Sequence, residues 1–314
     1  MFSIKTAKGS KNTAGITISS DGISLAIVEK KDKTHQKLIH TEFYPAKQAE
    51  QASLLSRITK QHRLDTIPCN LVIAPEEYQL LRVETPEVPK QEISAAIRWR
   101  IKDLIDFHID DAIIDMIDIP NQQSSGTHIT QVVACRHAVI QQYVDLLHEV
   151  KCQLESIDVP ELATNYLLPK ITDTKSSIVV LNLWPAYARM SIYNNNDFYL
   201  TRASSIGSDS LSQVAIEDIS SQSVLDSLAL ELQRTFDYFE SYSRQASVET
   251  LIILSHGQAV NINIIPLLED RLGLTVQAIP SNDTTVEENK FLTQSTSSHC
   301  YLAIGGALKL KVEN

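Results

Sequence analysis

One pattern occurs twice in this chain, and it limits what the chain can fold into. Three short strands joined by tight turns are followed by a helix and a further buried strand. In the first copy, β-branched and alternating segments predict strands over residues 15–19, 23–29 and 38–44. A helix over residues 46–62 carries Ala49, Ala52, Leu55 and Ile58 on one face, and residues 71–74 form a buried strand. Ser20-Asp21-Gly22 between the first two strands reads as a hairpin turn of the type that needs positive φ. The second copy has strands at residues 178–183, 189–193 and 198–203, the last two joined by Asn194-Asn195-Asn196-Asp197, since asparagine tolerates left-handed backbone. A helix over residues 223–243 with the stripe Leu225, Leu228, Leu232, Thr235 and Phe239 follows. After it come a strand at 251–254, a helix at 262–272, a strand at 276–279, a polar loop at 282–294 and a terminal helix at 301–310. Two like halves imply a two-lobed α/β architecture with a cleft between them.

A different unit interrupts the first half. Residues 78–159 read as β-α-β-β-α-β, an inserted α+β subdomain. Its first helix, over residues 91–107 behind Pro86 and Pro89, places Ile93, Ile97, Ile101, Leu104 and Ile105 on one stripe. The expected organisation is a flexible tail at 1–13, a first lobe at 14–170 holding the insert at about 78–159, and a second lobe at 171–314.

Composition narrows the partners. A net charge of −10 over 314 residues repels phosphate backbones, so nucleic acid is not an expected partner. Apolar residues at 43% and charged residues at 21% are the balance of a folded protein with a sizeable core. No apolar run reaches the roughly 18–20 residues that span a bilayer, and no signal peptide is evident. The tail carries Lys5, Lys8 and Lys11 beside Phe2 and Ile4, which suits either docking on an anionic surface or partner, or a frayed terminus. Cys69, Cys135, Cys152 and Cys300 form no C-x-x-C pair and read as reduced thiols of a cytoplasmic protein. The nine histidines show no zinc spacing, and no metal is expected.

Several segments, in order, resemble the actin-like proteins of type IV pilus assembly, the PilM family, and within it the branch that serves MSHA pili. They are Thr66-Ile67-Pro68 leading into residues 71–78, Val83-Glu84-Thr85-Pro86 through Ile93-Ser94-Ala95-Ala96-Ile97-Arg98-Trp99, and Phe107-His108-Ile109-Asp110-Asp111-Ala112. Residues 230–239, Ile252-Ile253-Leu254-Ser255-His256-Gly257 and Ala303-Ile304-Gly305-Gly306-Ala307-Leu308 continue the likeness, which covers residues 14–310. The resemblance implies an actin-like (ribonuclease H-like) two-lobed ATPase superfold. It also implies a role as a cytoplasmic scaffold, peripheral at the inner membrane. The implied partner is a bitopic PilN-like pilus assembly protein, bound through its cytoplasmic N-terminal segment in a groove between the first lobe and the insert, with Trp99 at its edge. Self-association is left open.

The nucleotide-facing loops depart from that family. The first, usually G-I-D-I-G, is Gly15-Ile16-Thr17-Ile18-Ser19; the second, usually D-I-G, is Asn182-Leu183-Trp184; the third, usually S-G-G-G, is Ser255-His256-Gly257-Gln258. Both acids that would anchor magnesium are gone, and an indole stands where a phosphate would lie. With only 9 glycines in the chain, backbone approach to phosphate is also restricted. The expectation is therefore a pseudo-ATPase with no catalytic residues and no cofactor. Should ATP and magnesium bind, the residues placed to meet them are Ser19, Ser20, Asp21, Ala186, Glu231, Ser255, His256 and Gly257. The alternative is an active actin-like ATPase of pilus or type II secretion assembly; a sugar or acetate kinase on the same superfold is disfavoured by the missing loop acids.

Overall fold

A computed structural model of the protein describes residues 2–3, 10–30, 35–120, 128–173, 176–215, 219–243, 247–257, 260–279, 291–292 and 296–309. The duplication is present strand for strand. In the first half, β2 (Asn12–Ser19), β3 (Gly22–Lys30) and β4 (Gln36–Pro45) run antiparallel, and β5 (Cys69–Val72) and β9 (Leu154–Asp158) add in parallel on the other side of β2. In the second half, β10 (Ser177–Leu183), β11 (Ala188–Asn194) and β12 (Asp197–Ser204) repeat the meander. There β13 (Val248–Ser255) and β14 (Thr275–Ile279) add in parallel beyond β10. With β1 (Phe2–Ser3) at the outer edge of the first sheet, the orders are β1-β9-β5-β2-β3-β4 and β12-β11-β10-β13-β14.

Each sheet is covered on its outer face by its own helices. Helix α1 (Gln48–His62) turns Leu54, Leu55 and Ile58 onto the first sheet, where α3 (His137–Glu149) adds Ile140 and Leu147. Helices α6 (Ile219–Ser243) and α7 (Ile264–Leu272) cover the second sheet through Leu225, Leu228, Leu232, Phe239, Ile264 and Leu268. Each fully buried leucine or isoleucine contributes about 1.5–3 kcal/mol, so both outer layers are held by apolar burial. Between the sheets lie α4 (Pro160–Leu167) and α8 (Tyr301–Leu308), in one core with Ala26 and Val28 from the first lobe and Ile178, Val180 and Leu254 from the second. A Cβ at Gly305 would collide with the Ala163 carbonyl, and one at Gly15 with that of Ala303. The Gly305–Gly306 pair read from the sequence is thus where two buried helices cross.

Several expectations need correction. The expected tail is partly strand: β1 (Phe2–Ser3) pairs antiparallel with β9, and β2 already begins at Asn12; Lys5 and Lys8 lie outside the described residues. The expected last strand of the insert is β9, which belongs to the first lobe's sheet. The small sheet has three strands, in the order β6 (Tyr78–Glu84), β8 (Ile129–Arg136), β7 (Ala112–Asp118). Apolar content alone could not assign residues 154–158 to a sheet, because it does not say which strand they pair with, and they pair in parallel with β5. The insert's helix α2 spans only Ile93–Ile101; Ile97 and Ile101 are buried, while Leu104 falls beyond the helix end and faces outward. The turn after β2 has Ser20 and Asp21 as its central residues, and neither takes positive φ. Gly22 is needed there for space, since a Cβ would strike the Phe43 ring. Asn195 and Asn196 do take positive φ, as the second meander required. Most of the expected 282–294 loop, and residue 310 of the terminal helix, lie outside the described residues.

Candidate functional site

The cleft-facing turns stand at the ends of β2, β10 and β13. Ser19, Ser20 and Asp21 are exposed at the first turn and Ala186 at the second, while Ser255 and His256 are buried at the third beside Gly257. Thus the structure brings the two second-lobe turns together and sets the first turn opposite them, across the segment that leads into α8. Asp21 is engaged on both oxygens: Ser19 Oγ donates to Oδ1 at 2.5 Å, and His299 Nε2 lies 3.3 Å from Oδ2. The His299 ring is stacked on Phe43 at 3.8 Å, and Ser24 Oγ donates to the His299 carbonyl at 2.8 Å. His299 is a cleft residue the sequence did not flag, because nothing around it repeats or carries a motif.

Opposite, Asn182 and His256 form a buried pair, His256 Nε2 to Asn182 Oδ1 at 2.9 Å. Trp184 stacks on His256 at 4.6 Å and on Tyr187 at 5.0 Å. Burial, and then the neighbouring His299, push the His256 imidazole down to about 3. An aspartate at position 182 would have favoured the imidazolium; the neutral amide does not. His256 therefore stays uncharged and donates a single hydrogen bond.

Tested against a magnesium nucleotide, these residues do not fit. A phosphate cradle needs backbone N–H groups free to point at the anion. Here Trp184 N–H donates to Tyr187 O, His256 N–H to Leu183 O, Ser208 N–H to Trp184 O and Asp209 N–H to Pro185 O, at 2.7–3.0 Å. Gly257 N–H donates to Ser298 Oγ at 3.3 Å. Thr17 and Asn182 offer no carboxylate, and Asp21 is paired. Ser208 Oγ, Ser255 Oγ and Glu231 Oε2 are among the buried side-chain atoms with no hydrogen-bond partner among the described residues. A surface depression of about 440 Å³, lined by Val248, Glu249, Glu269, Gly273, Leu274 and Thr275, lies at the other end of the second-lobe strands, away from these turns.

Beside the cleft the lobes and the insert are locked by buried charge. Glu161 on α4 is 1% exposed, lies 3.2 Å from Arg189 of β11 and accepts from Tyr78 Oη at 2.5 Å. Arg189 also donates to the Pro75 carbonyl at 2.9 Å, so one cluster joins the crossing helix, the second sheet and the root of the insert. Similarly, Lys309 reaches Asp158 at 3.0 Å and Ser156 Oγ at 2.9 Å, tying the end of α8 to β9. Sequence reasoning missed both clusters, since their members are far apart in the chain.

On the insert, α2 presents a different surface. Trp99 is 73% exposed, Leu104 is 56% exposed, and the Lys102 ammonium lies 5.0 Å from the Trp99 ring centroid. An exposed tryptophan with an apolar neighbour is a feature of interaction surfaces rather than of solvated helix faces.

With duplicated sheets, crossed helices and an insert in the first half, the architecture can be compared. A solved PilM–PilN type IV pilus biogenesis complex contains a chain that superposes with a TM-score of 0.70 at 16% identity, covering 94% of this chain and 97% of that one. The fold is actin-like. The cytoplasmic domain of EpsL, an inner-membrane component of the type II secretion system of Vibrio cholerae, matches at TM-score 0.56 and 12% identity, with 96% of both chains covered. A Bacteroides thetaiotaomicron protein with an actin-like ATPase fold matches at TM-score 0.51 and 8% identity, over 87% of this chain and 93% of that one. No protein-family model matches the sequence, and no match is found among curated proteins. Among the described residues no helix is long and apolar enough to cross a membrane.

Proposed function

We propose that this actin-like chain is a cytoplasmic, non-catalytic scaffold of the inner-membrane assembly platform of a type IV pilus, of the MSHA type served by MshI. The observation that carries the reading is the end-to-end likeness to the chain from the PilM–PilN complex, 94% of one and 97% of the other. The partner is a bitopic PilN-like membrane protein, whose cytoplasmic N-terminal segment packs against the insert near Trp99. The pseudo-ATPase part of the reading is supported by the paired Asp21, by the amide at Asn182 and by turn N–H groups already bonded within the protein.

The test is co-purification of the full chain with candidate bitopic platform proteins, with and without residues 1–12. Capture of one such protein, weakened by Trp99→Ala, is the expected result. Failure to capture any pilus platform protein overturns the reading. A second reading, a nucleotide-binding ATPase of pilus or type II secretion assembly, is favoured by the unpartnered Glu231, Ser208 and Ser255 oxygens, which a nucleoside could satisfy. Calorimetric titration with Mg-ATP separates the two: the scaffold gives no saturable heat, and saturable micromolar binding selects the ATPase.

A further inference from the structure

The outer edge of the first sheet carries chemistry that the cleft does not use. Strand β4 is the last strand of its sheet. Its register against β3 slips between Ile27 and Val28, so that Ile27 faces His40 while Val28 faces Leu38. The extra residue, Ile39, is a bulge, and a bulge re-aims the side chains that follow it. Leu38 packs into the inter-lobe core, whereas Tyr44, an even number of residues from His40, packs with the α1 layer. The bulge thus turns His40, Glu42 and Tyr44 together toward α1, whose last turn supplies His62.

Ligand atoms of His40, Glu42 and His62 all lie within 4.8 Å of one another, and among the described residues no other three such side chains converge in this way. His40 Nε2 is 3.6 Å from Glu42 Oε2, and the two imidazole rings are 4.3 Å apart. The Tyr44 hydroxyl sits at the focus, 2.9 Å from His62 Nε2 and 3.5 Å from His40 Nε2. The two Nε2 atoms thus converge on one point, with the Glu42 carboxylate beside them.

We propose that His40, Glu42 and His62 form a binding site for a divalent transition-metal ion of the zinc class, in which the metal replaces the Tyr44 hydroxyl at the two Nε2 atoms and one coordination position is open to solvent. Two imidazoles and a carboxylate suit zinc, cobalt or nickel and not magnesium or calcium. Tetrahedral zinc needs donors about 3.3 Å apart, from metal–ligand distances of about 2.0 Å. The His40–Glu42 pair is already near that spacing at 3.6 Å, and all three donors lie within 4.8 Å of one another. The ion would clamp the edge strand to α1, independently of the scaffold reading.

The experiment is titration of the full, tag-free, chelator-treated chain with Co²⁺ and Zn²⁺. Four-coordinate visible Co²⁺ bands are expected, without the near-ultraviolet band that thiolate ligation gives. Competition by Zn²⁺ and a rise in Tm of roughly 4–8 °C at hundredfold excess over Kd are also expected. His40→Ala and His62→Ala should each weaken uptake about tenfold or more, with Glu42→Gln following them and Tyr44→Phe affecting it less. His62→Gln, which keeps a polar group beside Tyr44, guards against a folding defect. Absence of saturable uptake at micromolar metal, a thiolate band, or affinity unmoved by both histidine variants would each overturn the proposal.

Discussion

Lowering the pH from 8 to 5 should destabilise this protein through one identifiable group, His256. The imidazole is buried, donates to Asn182 Oδ1 at 2.9 Å, and is pushed down to about 3 by burial and then by His299. A histidine whose folded pKa is depressed contributes stability above its unfolded pKa of about 6.5, and that stability is lost as pH falls below it. The unfolded chain takes up a proton there that the folded chain refuses. At pH 5, about 1.5 units below the unfolded value, the loss from this residue is about 2 kcal/mol. The figure hardly depends on the folded pKa, because a group at about 3 is still neutral at pH 5.

Urea denaturation at pH 8, 7, 6 and 5, run in parallel on the native chain and on His256→Gln, isolates the effect, since every other titrating group is common to both. With a slope of roughly 3 kcal/mol/M, the native midpoint should fall by roughly 0.5–1 M more than that of the variant. The His256 ring resonances should also show no titration over the same range. Parallel pH dependence in the two chains, or a ring that titrates near 6, would refute the reasoning and mean that the Asn182–His256 pair is open to water.

Other perturbations follow from the same geometry. Arg189→Met leaves Glu161, 1% exposed, without its cation and should cost about 3–5 kcal/mol by thermal or urea unfolding. Adding Glu161→Gln should restore part of that loss. Gly305→Val places a branched side chain against the Ala163 carbonyl, so soluble yield and Tm should collapse, whereas Ala95→Val on the exposed side of α2 should change Tm little. Trp99→Ala should leave stability within about 0.5 kcal/mol, because the ring is 73% exposed, while reducing capture of a membrane partner.

What the sequence could reveal was whatever has a period. The two meanders and the stripe of α6 announce themselves locally and the structure uses them as read, whereas in α1 Leu55 and Ile58 of the expected stripe are buried beside Leu54 while Ala49 and Ala52 are exposed. What it could not reveal was which distant residues meet. Residues 154–158 look the same whether they close a small subdomain or extend a large sheet; only the pairing with β5 decides. His299 has no motif, yet it fills the space between Asp21 and Gly257. Arg189 and Glu161 are separated by a lobe boundary, and the bulge at Ile39 that gathers His40, Glu42 and Tyr44 has no glycine or proline to mark it.

The departures at the nucleotide loops form one consistent set. Replacing an acid by Asn182 removes a magnesium anchor and lets His256 stay neutral under Trp184. Filling the turn with that indole then obliges the turn N–H groups to find partners within the protein, and they do. The carboxylate that is present, Asp21, lies against His299 on the segment leading into α8, a contact between the first turn and the second lobe. Side chains join the lobes across the cleft: Asp21 with His299, Ser24 with the His299 carbonyl, and Glu161 with Arg189. These contacts support the proposed scaffold reading, in which the relation of the lobes is held by the protein itself.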